Sequence, residues 1–249
     1  MKAFVVDLDE RENREVLCKF HFDRGGKSKL EYAYYDKQAV SNIHEVANKI
    51  KTLIQKSLKN NEYTLLNRNE IKEAFFSPFK PQLKTVQVFL SHSHADRNKA
   101  LEVKNYLENQ TKRKVFIDSL FWDYKDDVLN ELADELAEYN DISRIEDTFT
   151  LILRESLQDM IEKCPYFVFL QSKNSVPNQG LSRITHSAWI YEELEIANTF
   201  ITGTTLKESH IKAMRVSYDV TNLLRRFKPI SLDSLCKKMA PNLITKDTK

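Results

Sequence analysis

Two groups of side chains in this sequence are spaced for chemistry. The first is His92-x-His94-x-Asp96, directly after the apolar run Val86–Ser91 (VQVFLS). Imidazoles two residues apart, with an Asp two further on, can converge on one face of a tight turn, and zinc favours nitrogen and carboxylate ligands. The same residues read equally as polar loop side chains at the end of a strand. The second group is a single carboxylate. On a wheel of about 100° per residue, the stretch Trp189–Ile201 gathers Trp189, Ile190, Leu194, Ile196, Ala197, Phe200 and Ile201 on one face. Tyr191, Glu192, Glu195, Asn198 and Thr199 lie opposite, where the two glutamates read as solvated charges. Glu193 falls inside the apolar face, between Phe200 and Ala197. A carboxylate there is costly unless neutralised, paired or used, because desolvation disfavours its charged form. Two explanations stand: a structural ion pair with a buried cation, or a functional carboxylate on a pocket wall.

The elements that must position these groups alternate between strand and helix. Val86–Ser91 predicts a short strand, and Ala100, Val103 and Leu107 a helix after it. Lys114–Asp118 (KVFID) is a second strand ending in a carboxylate. Val128, Leu129, Leu132, Leu136 and Tyr139 suggest a helix in a long insert, and Phe149 to Cys164 a strongly amphipathic one. Tyr166–Gln171 (YFVFLQ) is the third strand, Trp189–Ile201 the last strong helix, and Phe227–Leu232 an edge strand. Such alternation implies parallel strands, crossover helices and a site at the strands' C-terminal ends. Upstream, Met1–Leu8 is an apolar run, and Glu15–Asp23 alternates Val16, Cys18, Phe20 and Phe22 like a strand. Gly25-Gly26 then signals a hairpin to Lys29–Tyr35, and residues from Val40 to Leu58 carry helical spacing. The prolines of Ser77–Pro81 mark a joint. These features predict a small α+β accessory domain over residues 1–82, an α/β domain over 83–232 and a C-terminal tail over 233–249.

Composition narrows the function. Lys+Arg 38 against Asp+Glu 36 gives +2, which removes any whole-chain argument for nucleic acid or an anionic membrane, and neither is expected as a partner. No stretch approaches the ~18 apolar residues of a membrane span, and the N-terminal residues turn acidic before a signal-peptide core forms, so a cytoplasmic protein is expected. Cys18, Cys164 and Cys236 are far apart and lack the spacing of a disulfide framework or a zinc knuckle. Only four glycines occur, where average usage of about 7% would give roughly 17. No glycine-rich phosphate loop can be assembled from them.

Taken alone, the His92–Asp96 segment is similar to the metal-binding signature of the metallo-β-lactamase fold. The next ligand in that signature is histidine, however, and here it is Arg97, so no metal is expected. A longer run of motifs points elsewhere. Val88-Phe89-Leu90-Ser91-His92 with Asp96 is followed by Val115-Phe116-Ile117-Asp118, then by the loop Ser119–Tyr124. After it come the helix ending at Cys164, the strand Tyr166–Ser172, and Trp189-Ile190-Tyr191-Glu192-Glu193-Leu194. In this order, from about Val86 to Phe200, they resemble the Toll/interleukin-1 receptor (TIR) domain superfamily. The loop most resembles that of bacterial antiphage TIR proteins of the Thoeris kind. Two departures are a second loop without its usual glycine and a helix-sized insert between Asp118 and Phe149.

The resemblance implies an α/β, flavodoxin-like fold with a parallel sheet and flanking helices, and a function in bacterial antiphage defence. Enzymatic TIR domains cleave the nicotinamide–ribose bond of NAD⁺, and the position matching their catalytic glutamate is Glu193. NAD⁺ would be the substrate, giving ADP-ribose or a cyclic ADP-ribose-type signal. Ser91, His92 and Ser93 would meet ribose or phosphate, unless they are plain loop polars. Phe121 and Trp122 would stack on a base, or pack against the insert helix. Trp189 would wall the pocket or belong to the core. The implied partners are further copies of the chain through TIR contacts, and a downstream effector or phage trigger protein. The alternatives are a non-enzymatic TIR assembly module and, from the histidine motif, a zinc hydrolase.

Overall fold

The apolar runs between the helical stretches assemble into one sheet, because a strand apolar on both faces must be covered on both. The computed structural model describes residues 1–23, 44–53, 55–56, 67–76, 84–117, 127–132, 142–177, 183–202 and 217–240. Its main strands are β1 (Lys2–Asp7), β2 (Val86–Ser91), β3 (Lys114–Ile117) and β4 (Tyr166–Gln171). Two short strands, β5 (Ile184–Thr185) and β6 (Tyr218–Asp219), form a separate antiparallel pair, and β7 (Lys228–Pro229) joins the main sheet. That sheet is parallel throughout, in the order β3-β2-β4-β1-β7. The helices are α1 (Arg11–Asp23), α2 (Arg68–Phe76), α3 (Arg97–Thr111), α4 (Ile142–Lys163), α5 (Ala188–Thr202), α6 (Thr221–Leu224) and α7 (Leu232–Met239). The chain is therefore α/β, with a five-stranded parallel sheet flanked by helices, an architecture compatible with a flavodoxin-like fold.

Side-chain parity divides the sheet into two faces. Phe4, Val6, Val88, Leu90, Val115, Ile117, Val168 and Leu170 point one way, into a core with Leu17 of α1, Val103 and Leu107 of α3, and Leu232, Leu235 and Met239 of α7. Val5, Phe89, Ser91, Phe116, Phe167 and Phe169 have the opposite parity. There Phe116, Phe89, Phe167 and Phe227 form an aromatic ladder with ring centroids 5.5–5.6 Å apart. Burying each such ring contributes about 1.5–3 kcal/mol. Lys112 ends α3 in the left-handed conformation (φ 57°), and its N–H bonds Glu108 O at 3.0 Å.

Met1–Gly25, Val86–Ile117 and Ile161–Lys249 form one compact unit, and Gly26–Thr85 with Asp118–Met160 a second. The sheet belongs to the first. In the second, the described helical residues are 44–53, 55–56, α2, 127–132 and most of α4. Val46, Ile50, Ile71, Phe75, Val128, Leu132, Phe149 and Leu153 are buried there. Phe75 meets Phe149 edge-on at 5.6 Å.

Three expectations differ from this arrangement. Glu15–Asp23 lies within helix α1, not a strand: Leu17 is buried and Cys18 exposed, which reverses the expected alternation. The cut at residue 82 also fails to follow the backbone. β1 lies inside the main sheet between β4 and β7, pairing Lys2 with Tyr166, while the 118–148 insert groups with residues 26–85. Residues 233–239 are packed helix rather than tail, since Leu232, Leu235, Cys236 and Met239 repeat at helical spacing and are all buried. The Gly25-Gly26 hairpin, Lys29–Tyr35 and Ser77–Pro81 lie outside the described residues. No described helix is long and apolar enough to cross a membrane.

Candidate functional site

Strand order reverses at β2, because β3 lies on one side of it and β4 on the other. In open parallel sheets this leaves a crevice outside the C-terminal ends of the two strands whose connections diverge. β2 ends at Ser91, and its parity turns the side chain to the same face as Phe89. Glu193, in the second turn of α5, is 1% exposed. The Ser91 hydroxyl donates to Glu193 Oε2 at 2.5 Å. A hydrogen bond to a charged acceptor is worth about 1.5–3 kcal/mol and offsets part of the cost of burying a carboxylate. The sequence places this carboxylate on the buried face of the helix, and the fold supplies Ser91 as a donor.

A second buried carboxylate braces the same end of the sheet. His94–Asp96 form a single 3₁₀ turn after β2, with Asp96 N–H bonded to Ser93 O at 2.8 Å. Asp96, 3% exposed, accepts the Ser172 hydroxyl and, at 2.9 Å, Asn174 Nδ2; Lys99 Nζ stands 3.8 Å away. Ser172 Oγ in turn accepts the N–H groups of Asn174 (3.0 Å) and Ser175 (3.2 Å), and Ser175 Oγ accepts Ser172 N–H at 2.8 Å. The segments after β2 and β4 are thus tied together. β1 joins them: Leu8 N–H bonds Gln171 O at 2.8 Å, and Asp9 Oδ2 accepts Lys173 N–H at 3.0 Å.

Of the residues expected at a site, Ser91 and Glu193 are in direct contact. His92 is buried next to Ser91, Ser93 is half-buried at the turn, and Trp189 is half-buried one turn before Glu193. Phe121 and Trp122 lie outside the described residues. His94 is exposed whereas His92 and Asp96 are buried, and among the described residues no three His, Cys, Asp or Glu side chains converge as a metal site. Asp96 stands in the sequence as a motif residue, and nothing in the local pattern marks Asn174. The bonds that Asp96 accepts from Ser172 and Asn174 are long-range contacts that spacing cannot reveal.

The other glutamates of α5 differ from Glu193. Glu192 and Glu195 are half-buried rather than fully solvated, and Glu195 Oε1 accepts the Tyr191 hydroxyl at 2.5 Å. Burial, then the hydrogen bond to Glu195, pushes the Tyr191 phenol up to about 12, so it remains a donor at neutral pH. Its ring stacks on Tyr218 of β6 at 5.0 Å. Asn198, expected on the polar face, is buried and donates to Leu194 O (2.8 Å) and Leu223 O (3.3 Å).

No family model, curated protein or solved structure matches this chain. Its class therefore rests on its own geometry: a parallel α/β sheet with a buried carboxylate at the C-terminal end of a strand beside the point where strand order reverses.

Proposed function

We propose that this chain is a TIR-like enzyme that processes NAD⁺, cleaving the nicotinamide–ribose bond with Glu193 as the catalytic carboxylate. The observation that carries the reading is the Ser91–Glu193 contact, a buried carboxylate held by a hydroxyl at the C-terminal end of β2. Nicotinamide leaves as a neutral base from a cationic pyridinium, so no general acid is required. What needs stabilising is positive charge growing on the ribose, as in glycoside cleavage. Ser91 holds one carboxylate oxygen in place and thereby orients the group towards a ribose hydroxyl. Water trapping the ribosyl cation gives ADP-ribose, and trapping by the adenine ring or a ribose hydroxyl gives a cyclic product. His92 and Ser93, which follow Ser91 in the chain, would contact ribose or phosphate, and Trp189 would wall the pocket. The motif order from Val86 to Phe200 extends this reading to antiphage defence in a bacterium. Self-assembly and a trigger or effector protein would complete it.

A second reading has its own observation. Glu193 is 1% exposed, which suits a structural acceptor for Ser91 in a TIR-like assembly module without catalysis. Mass spectrometry of NAD⁺ incubated with concentrated protein separates the two. ADP-ribose or a cyclic isomer, with free nicotinamide, supports the enzyme. Unchanged NAD⁺ across a concentration series that spans self-association supports the module.

A further inference from the structure

The charge of this chain is nearly balanced, but it is not evenly placed. At the N-terminal ends of the parallel strands, β1 begins with Lys2, β3 with Lys114 and β7 with Lys228. Lys163 ends α4 just before β4, Lys112 and Arg113 follow α3, and Lys238 lies in the last turn of α7. All but the half-buried Arg113 are exposed. Direct contacts fix three of them, Arg113, Lys2 and Lys238, on the ends of the sheet and α7. Arg113 lies over the Tyr166 ring at 5.1 Å and Lys2 Nζ over the same ring at 5.9 Å; Arg113 Nε also donates to Met239 O at 2.6 Å. Lys238 Nζ sits 5.3 Å from the Phe4 ring.

The acids on these segments do not neutralise the row. Of the acids nearest the row, Glu108 at the end of α3 is taken by Lys104 at 2.6 Å and Asp233 by Lys237 at 2.7 Å, and Glu162 is the chain neighbour of Lys163. Helix dipoles explain part of the pattern, because cations are favoured where α3, α4 and α7 end. They do not explain Lys2, Lys114 and Lys228, which begin strands. The cations also disfavour one another: Lys228, then burial, and more weakly Lys2 lower the proton affinity of Lys238. A repulsive row retained on a surface fits a partner that neutralises it.

We propose that this edge of the sheet binds the phosphate backbone of a nucleic-acid duplex without reading its sequence. The shape selects an extended polyanion over a single phosphate. From β3 to β7 the row crosses four interstrand steps of about 4.8 Å, about 19 Å in all. Duplex DNA presents one charge per ~1.7 Å of axis, roughly eleven over that length. A membrane partner is disfavoured because the single large apolar side chain exposed among the described residues, Leu151, belongs to the other unit. A net charge of +2 excludes a basic protein overall, not a basic edge.

The test is fluorescence anisotropy of a labelled DNA duplex of arbitrary sequence titrated with the full chain over a range of salt. Five phosphate contacts predict a slope of log K against log salt of about −4.5. The triple variant Lys2→Glu, Lys228→Glu, Lys238→Glu, first shown to melt like the parent, is expected to lose at least tenfold in affinity at about 0.1 M salt. Glu193→Gln should bind the duplex like the parent, so this result stands apart from NAD⁺ turnover. No binding at low salt, or equal binding by a folded triple variant, overturns the proposal. Capture by phosphatidylserine vesicles without duplex binding overturns it in favour of a membrane.

Discussion

Replacing Glu193 with glutamine removes one charge at nearly constant volume, which separates the electrostatic role of the side chain from its packing. Glu193 is 1% exposed and accepts the Ser91 hydroxyl at 2.5 Å. The amide oxygen of glutamine can still accept that hydrogen bond. The folded state then exchanges a charge-assisted bond of about 1.5–3 kcal/mol for a neutral one of about 0.5–1.5 kcal/mol. A net loss near 1 kcal/mol corresponds to roughly 2–4 °C in melting temperature for a chain of this size. Charge stabilisation in a water-poor site is worth more: removing one such contact costs about 2.7–4 kcal/mol, or 10²–10³ in rate. Glu193→Gln should therefore keep its fold and lose at least about a hundredfold in NAD⁺ turnover. Glu192→Gln and Glu195→Gln should keep most of their activity, because both residues are half-buried and off the apolar face of the helix wheel, unlike Glu193. Turnover would be followed by mass spectrometry and melting by circular dichroism, on all three variants alongside the parent. A Glu193→Gln protein that stays active refutes the catalytic assignment. One that fails to fold refutes it too, because the carboxylate would then be required by the structure itself.

Asp96→Asn should lower the melting temperature without touching β2 itself, because Asp96 accepts both Ser172 and Asn174 across the crevice. Weakening this buried charge-assisted network is expected to cost about 1–3 kcal/mol, read by thermal melting; an unshifted transition would show that the two segments are held by packing alone. Of the three thiols, only Cys18 should react with a thiol reagent at neutral pH in the native protein, because burial pushes Cys164 up to about 12 and Cys236 up to about 11. Three equivalents of fast reaction without denaturant would contradict that burial. The buried thiol and phenol add no pH dependence well below pH 9, and their contribution to stability should fall between about pH 9 and 12. In that window the unfolded chain releases protons from the thiol and phenol, ordinarily near 9.0 and 10.0, while burial raises folded Cys236 to about 11 and Tyr106 to about 12. Tyr106→Phe should flatten the upper part of this decline in alkaline melts, and an unchanged profile would count against the phenol.

Local pattern was a good guide wherever one period had no competitor. VQVFLS, KVFI and YFVFLQ are short, mostly apolar runs of the kind a covered strand requires, and all three lie in the parallel sheet. The wheel of α5 placed Glu193 on the buried face, and it is buried. It failed at Asn198, whose amide reaches Leu223 O across a tertiary contact. Glu15–Asp23 misled because Val16 and Phe20 are four residues apart, a spacing shared by helix and strand. Only the burial of Leu17 and the exposure of Cys18 separate the two periods. The helical stripe of Leu232, Leu235, Cys236 and Met239 is present in the sequence, but it is short and directly follows the apolar run of an edge strand, which masks its period.

Residue types and their order thus specify which segments are strands, which face of α5 is apolar, and which carboxylate is buried at a cost. Where those segments meet is a different kind of information. That β1 enters the sheet beside β4, that Ser91 donates to Glu193, and that Ser172 and Asn174 hold Asp96 are decided only when the whole sheet closes. The physical reason is that strand pairing and buried hydrogen bonds join residues far apart in the chain. Their energies depend on the simultaneous exclusion of water by elements that no local window of sequence contains.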